Sequence, residues 1–156
     1  MADFGKIGFE WPPYTIEVER GKIAEFALAV KASDPVYTDR DAARAAGYAD
    51  VPVPPTFSAV GQHWAPKVSV EEDLGVDLKR VLAGGAEWEY LGDIVAGDVL
   101  TVHGRVVDMV EKHGSRGPMT LIIRENTFVN QRGETVLKLR GTMIEMGRAP
   151  ERGAAR

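Results

Sequence analysis

Few side chains in this sequence can exchange a proton at neutral pH. There are three histidines, His63, His103 and His113, and no cysteine. His103 and His113 fall in a predicted strand and a predicted loop without a suitably spaced histidine or carboxylate, so the pattern predicts no metal site. His63 lies beside Gln62 in a predicted helix. It is either a relocated acid or base or, as is commoner for a lone helical histidine, a packed and hydrogen-bonded residue.

A second group of polar side chains surrounds Pro35. Asp34 and Asp39 are candidate catalytic carboxylates, but turn chemistry explains both, since Asp34 precedes the proline and Asp39 lies in the first turn of a predicted helix. Tyr37 either lines a substrate channel or packs with its hydroxyl exposed. Its reference pKa near 10 makes it a poor base at neutral pH.

The composition is that of one ordinary globular domain. The chain has 156 residues, 44% of them hydrophobic, and a net charge of -4 with the signs interspersed. The sequence has no basic stripe of the kind that would predict nucleic-acid binding. It also has no apolar run long enough to span a membrane. The absence of cysteine and of a secretory signal favours the cytoplasm. No motif predicts a cofactor.

The N-terminal third predicts one strand and two helices. Residues 14–19 alternate apolar and polar, which is typical of a half-buried strand. Residues 21–31 carry apolar side chains at helical spacing on one face. Residues 38–46 predict a second helix with Thr38 as its N-cap and Gly47 just beyond its end.

A proline-rich segment then leads into a third predicted helix, residues 57–64, with Thr56 as its N-cap. Phe57, Val60 and Trp64 share one face of this helix. Small residues are interleaved with them, so the backbone of other elements can approach closely. We therefore expect this helix to be buried on more than one side.

The rest of the chain predicts antiparallel strands joined by short turns. The predicted segments are a strand through residues 86–90, a strand over 99–110 with a bulge or bend at Gly104, a hairpin loop over 112–118, a strand over 120–130, a turn over 131–134 and a strand over 135–146. An antiparallel sheet curled around one central helix is the α+β hot-dog fold. We expect a single domain over residues 1–148 and a disordered tail over 149–156. The open edge of such a sheet would be protected by edge-to-edge dimerisation, so we expect a dimer.

Several segments together resemble the MaoC-like dehydratase family, especially its N-terminal-type domain. They are residues 26–39 (FALAVKASDPVYTD), 42–48 (AARAAGY), 52–57 (PVPPTF), 84–90 (GGAEWEY) and 96–98 (AGD). Their order and spacing agree with the family over most of the chain. The resemblance implies a hot-dog domain that handles acyl thioesters of CoA or of acyl carrier protein.

The resemblance also implies a departure at the catalytic positions. Active members carry Asp-x-Asn-Pro-(Ile/Leu)-His-x-Asp, in which the Asp and His act as general base and acid on a 3-hydroxyacyl or enoyl thioester. Aligned on Pro35, the motif's Asn falls on Asp34 and its last Asp on Asp39. The catalytic Asp position holds Ala32 and the His position holds Tyr37. The usual catalytic pair is therefore missing.

The start of the central helix departs as well. Active members have His-Gly-(Met/Leu) there, with a backbone N–H that polarises the thioester carbonyl. This chain has Pro55, Thr56 and Phe57, so only the latter two have an N–H. The resemblance predicts a substrate-binding surface made by Tyr37, Pro55, Thr56, Phe57, Val60 and Trp64. No catalytic residue is assigned, and His63, Asp34 and Tyr37 are the weak candidates.

Three functions follow from these observations. In the first, the chain is the subunit of a (3R)-hydroxyacyl-thioester dehydratase that supplies the acyl-chain channel, while a catalytic MaoC-like partner supplies the Asp and His. In the second, it is a self-sufficient homodimeric hydratase or thioesterase with displaced catalytic groups. In the third, it is a non-catalytic acyl-CoA-binding domain.

Overall fold

The computed structural model describes residues 2–67, 69–115 and 117–147. The expected disordered tail over 149–156 and the domain end at 148 lie outside these residues. Five strands form one antiparallel sheet in the order β1-β3-β4-β5-β2. The strands are β1 (Tyr14–Glu17), β2 (Val81–Tyr90), β3 (Val99–Gly114), β4 (Gly117–Val129) and β5 (Thr135–Met146).

The helices are short and lie mostly in the first half of the chain. The α-helices are α1 (Arg20–Ala29), α2 (Arg40–Ala45) and α3 (Val70–Leu74), and the 3-10 helices are Phe4–Lys6, Pro35–Tyr37, Phe57–His63 and Leu78–Arg80. None of the helices in the described part of the chain has the length and apolar character that crossing a bilayer requires.

The expected strand and helix segments are confirmed where the sequence pattern is strong. The first strand, the helix over 21–31 and the last strand over 135–146 all form with similar bounds. The turn before β5 also forms as expected. The Asn130 side chain accepts hydrogen bonds from the backbone N–H groups of Arg132 and Glu134 there, and Gly133 takes a φ of +80°.

One predicted N-cap is wrong, and the other holds in position but not in its hydrogen bond. Asp39, not Thr38, caps α2, because its carboxylate accepts hydrogen bonds from the N–H groups of Asp41 and Ala42. Thr56 precedes a 3-10 helix and makes no capping hydrogen bond with its side chain.

Two details of the predicted sheet also differ. The hairpin expected as a loop over 112–118 is shorter, because β3 continues to Gly114 and β4 begins at Gly117. No bulge occurs at Gly104, which pairs regularly with Asn126. The register shift lies between Val106 and Asp108 instead.

The segment Phe57–His63, called the central helix below, covers the sheet with one face only. Phe57, Val60 and Gly61 are buried and most of its other residues are exposed, so the expected burial on several sides does not occur within one chain. Contact with the sheet is close: a Cβ at Gly61 would lie 2.8 Å from Cδ1 of Ile16. Glycine at this position therefore sets how near the helix approaches β1.

Two apolar clusters stabilise this arrangement. One lies under the central helix and includes Phe57, which meets Phe26 of α1 edge to face with ring centroids 5.6 Å apart. The other lies at the far end of the sheet around Leu74 and Ile122. The part of the sheet between these clusters carries the candidate site.

Candidate functional site: a groove beside the central helix

The strand register places three rows of side chains on the sheet face that the central helix covers. Residues directly opposite each other in an antiparallel sheet share a face, and every second residue along a strand returns to it. The first row is Val102, Phe128, Leu137 and Tyr90; the second is Gly104, Asn126, Leu139 and Trp88; the third is Val106, Arg124, Gly141 and Ala86.

The central helix seals the first row except at its edge, where Tyr90 stays 41% exposed. The space left between its buried face and the sheet is only about 10 Å³, about the volume of one water probe. An acyl chain therefore does not fit between Phe57 and the sheet in this conformation.

The second row and, apart from the buried Val106, the third row form the floor of a large groove. Its volume is about 640 Å³, which is within the range of small-molecule sites. One wall comes from Trp11, Pro12 and Tyr14, and the other from Ser58, Ala59, Gln62, Ala65, Pro66 and Lys67. Hydrogen bonds hold two indoles that line this groove. Trp11 donates to Asp73 at 2.9 Å, and Trp88 donates to Ser58 at 3.0 Å.

A cluster of tyrosines lies at the start of the central helix. The hydroxyl of Tyr90 donates a hydrogen bond to the carbonyl oxygen of Pro55. Burial raises the pKa of Tyr90, and nearby Tyr37 raises it further. The pKa of Tyr37 is also raised, by burial first and then by Asp34 and Tyr48. Both phenols therefore stay protonated at neutral pH, so each can donate a hydrogen bond but neither can act as a base.

The residues at the N-terminal end of the central helix offer fewer donors than expected. The N–H of Phe57 donates to the carbonyl oxygen of Pro54 at 2.9 Å. It is therefore engaged and does not face a ligand. Thr56 is exposed at this end. Asp34 accepts a hydrogen bond from the N–H of Val36, as its turn role predicts.

The remaining predicted site residues are spread over different surroundings. Phe57 and Val60 lie in the core, and neither lines the large groove. His63 and Trp64 are exposed at the C-terminal end of the central helix, with ring centroids 6.2 Å apart. The structure thus brings Tyr37 near Pro55 through Tyr90 and leaves His63 away from them. A catalytic role for His63 stays a prediction.

Arg124 and Asn126 are groove residues that the sequence interpretation missed. Arg124 lies half-buried on the floor, and its Nε is fully buried with no hydrogen-bond partner. Burial lowers the pKa of its guanidinium. The sequence did contain a signal for Arg124. Ile122, Arg124 and Phe128 are separated by even numbers of residues in the predicted strand, so the Arg124 side chain is expected on the same face as these two apolar side chains.

Comparison with known proteins defines the class first. The structure superimposes on one chain of the HadBC (3R)-hydroxyacyl-ACP dehydratase complex of Mycobacterium tuberculosis with a TM-score of 0.74 and 23% identity, covering 89% of this chain and 96% of that one. A MaoC-like dehydratase superimposes with a TM-score of 0.80 and 27% sequence identity, covering 90% of this chain and 42% of that one. One chain of the ChsH1-ChsH2 complex of Mycobacterium tuberculosis superimposes with a TM-score of 0.73 and 22% sequence identity, covering 90% of this chain and 90% of that one. The fold is a hot-dog fold.

Sequence relatives define the family. The model of the FAS1-like dehydratase domain region matches residues 5–139. A UPF0336 protein of Leifsonia xyli subsp. xyli is 37% identical over 87% of this chain and 88% of its own length. A UPF0336 protein of Saccharopolyspora erythraea is 38% identical over 93% of this chain and 92% of its own length. The chain belongs to the FAS1-like dehydratase-region family of MaoC-like proteins, which confirms the resemblance.

Proposed function

We propose that this chain is the non-catalytic subunit of a heterodimeric (3R)-hydroxyacyl-thioester dehydratase of the cytoplasm, on CoA or acyl carrier protein. A MaoC-like partner supplies the Asp and His, and this chain supplies part of the acyl-chain channel. The observation that carries the proposal is the pair of residues at the catalytic positions, Ala32 and Tyr37, in a chain that otherwise belongs to a dehydratase family.

The chemistry requires two proton-transfer groups. Elimination of water from a 3-hydroxyacyl thioester needs a base for the α-proton and an acid for the departing hydroxyl. Ala32 has no proton to exchange. The raised pKa of Tyr37 keeps it protonated, so it can serve as a hydrogen-bond donor but not as the base. A second chain is therefore needed to complete the reaction.

The open edge of the sheet supports a partner. β2 is an edge strand, and among its residues and the one that follows it, Leu82, Trp88, Tyr90 and Leu91 are 37–53% exposed. An unpaired strand with exposed apolar side chains is a template for another chain. The heterodimeric HadBC and ChsH1-ChsH2 complexes, which share this fold, make a dehydratase subunit a suitable partner.

The groove supports the acyl-chain role. Its volume suits a small-molecule ligand, and its walls are largely apolar. It opens beside the central helix rather than beneath it. An acyl chain that enters near the tyrosine cluster would then extend between Trp11 and Trp88, with Tyr37 near the thioester end.

A reconstitution assay tests the proposal. If the neighbouring reading frame encodes a MaoC-like chain with an intact Asp-x-Asn-Pro-x-His motif, the two chains are purified separately and co-expressed. Hydration of crotonyl-CoA is followed by the loss of enoyl-thioester absorbance. We expect turnover from the complex and none from this chain alone. Turnover by this chain alone would instead support a self-sufficient enzyme, and His63→Ala would then test whether His63 carries it.

A further inference from the structure

The groove holds an arginine whose charge is not neutralised. Arg124 makes no hydrogen bond or ion pair with any residue in 2–67, 69–115 or 117–147, although its Nε is fully buried. A partly buried cation without a partner is costly, because protein atoms replace part of the water that would solvate it. Such a group is typical of a site whose counter-charge arrives with a ligand.

The neighbouring carboxylates are committed elsewhere. Glu125 points to the opposite sheet face, where it accepts hydrogen bonds from Arg105 at 2.9 Å and Arg140 at 2.8 Å. Asp73 does not line the groove, and it accepts a hydrogen bond from the Trp11 indole N–H. Among the described lining residues the only charged ones are Arg124 and Lys67, both cations.

Space is available above the guanidinium. Gly141 and Ala86 lie on the same cross-strand row as Arg124, and a Cβ at Gly141 would meet nothing within 4 Å. Asn126 lies next to Arg124 on the same face and adds an amide donor. The site therefore combines a planar cation, an amide and two fixed indoles in one groove.

We propose that Arg124 binds a carboxylate on an acyl ligand that occupies this groove. The inference rests on the proposed acyl-channel role and narrows the ligand to an acyl chain whose far end carries an anionic oxygen group. A guanidinium matches a carboxylate with two parallel N–H donors. The indoles of Trp11 and Trp88 then enclose the apolar body of the ligand. Lys67 adds to the attraction at the rim.

Matched ligands test the inference on the purified full chain. Dodecanoate, below its micellar concentration, and dodecanol, below its solubility limit, are titrated while tryptophan fluorescence is recorded, since two of the three tryptophans line the groove. We expect dodecanoate to bind on the order of 10- to 100-fold more tightly, as a charge-assisted hydrogen bond provides. Arg124→Met should remove this preference without abolishing dodecanol binding.

A matched control comes from the opposite face of the sheet. Arg105→Met removes an arginine from the neighbouring strand while Glu125 keeps its hydrogen bond from Arg140, so the preference for dodecanoate should survive. Arg124→Lys should retain part of it.

Other outcomes overturn the inference in distinguishable ways. Equal affinity for the two ligands in the wild type would reject the carboxylate role and leave the acyl channel intact. Failure of both ligands to bind would reject the channel as well. If Arg124→Met weakens assembly with the MaoC-like partner but not dodecanoate binding, the arginine belongs to the subunit interface and the inference is wrong.

Discussion

Replacing Arg124 by methionine should make the free chain more stable. Methionine keeps much of the aliphatic volume of arginine but removes a buried donor with no partner. Leaving such a donor unsatisfied costs about 1–3 kcal/mol, so its removal should raise the free energy of unfolding by about that amount. The value applies to Nε alone, because the guanidinium also reaches the groove. A domain of this size gains about 2–4 °C in Tm for each kcal/mol, which gives a rise of about 2–12 °C.

Urea denaturation followed by circular dichroism at pH 7 measures this change directly. The m-value should stay constant while the midpoint increases, because the exposed surface hardly differs between the two folded states. Arg105→Met is the control and should not stabilise, since Arg105 donates to the buried Glu125. A loss of stability in Arg124→Met would show that the guanidinium has a partner within the chain, and would refute the reasoning. A gain in stability in Arg124→Met would mean that the wild-type arginine destabilises the free chain, as expected for a residue kept for ligand binding.

Three further predictions concern the frame that holds the groove. Glu145→Gln should lower the free energy of unfolding by about 1–3 kcal/mol in urea titrations, because the buried carboxylate accepts from Asp77 N–H and two other donors; an unchanged midpoint would contradict this. Gly61→Val should cost about 1–3 kcal/mol by overpacking against Ile16, measured by thermal melting with Gly21→Val as the control, since Gly21 has open space and no positive φ. Hydrogen bonds from arginines hold the pKa of Glu125 below its usual range, so its stabilisation is present above about pH 4.3 and is lost as pH falls through the folded pKa. The stability difference between wild type and Glu125→Gln should therefore shrink in acid, and a difference that grows there would be inconsistent.

The sequence pattern was sufficient for the elements with strong periodicity. β1 and α1 formed close to their expected bounds because apolar and polar residues alternate from residue 14 to 19 and apolar side chains recur at helical spacing from Ile23 to Val30. Short elements were harder. Thr38 and Asp39 are both good N-caps, and only the backbone conformation decides that Asp39 makes the bonds. The hairpin loop expected over 112–118 is shorter in the structure, because β3 continues to Gly114 and β4 begins at Gly117.

The groove could be predicted only in part. Arg124 and Phe128 are four residues apart in the fourth strand, so the local sequence alone places their side chains on the same face. Whether an acid lies across from it depends on the register of β5 against β4, and that register places Gly141 there. Such a pairing joins residues distant in sequence, so no local pattern contains it. The absence of the usual catalytic pair from positions 32 and 37, by contrast, stays a prediction that rests on the motif alignment around Pro35.

The origin of the catalytic pair is tested most directly by exchanging one residue at a time in the reconstituted complex. The measured quantity is the initial rate of crotonyl-CoA hydration. Replacing the motif histidine of the MaoC-like partner by alanine should lower the rate by about 10²- to 10⁴-fold, the usual contribution of a general acid or base. Tyr37→Phe in this chain, which removes a donor but no base, should leave most of the rate. The opposite pattern, with loss on changing Tyr37 and little effect of the partner's histidine, would contradict the account.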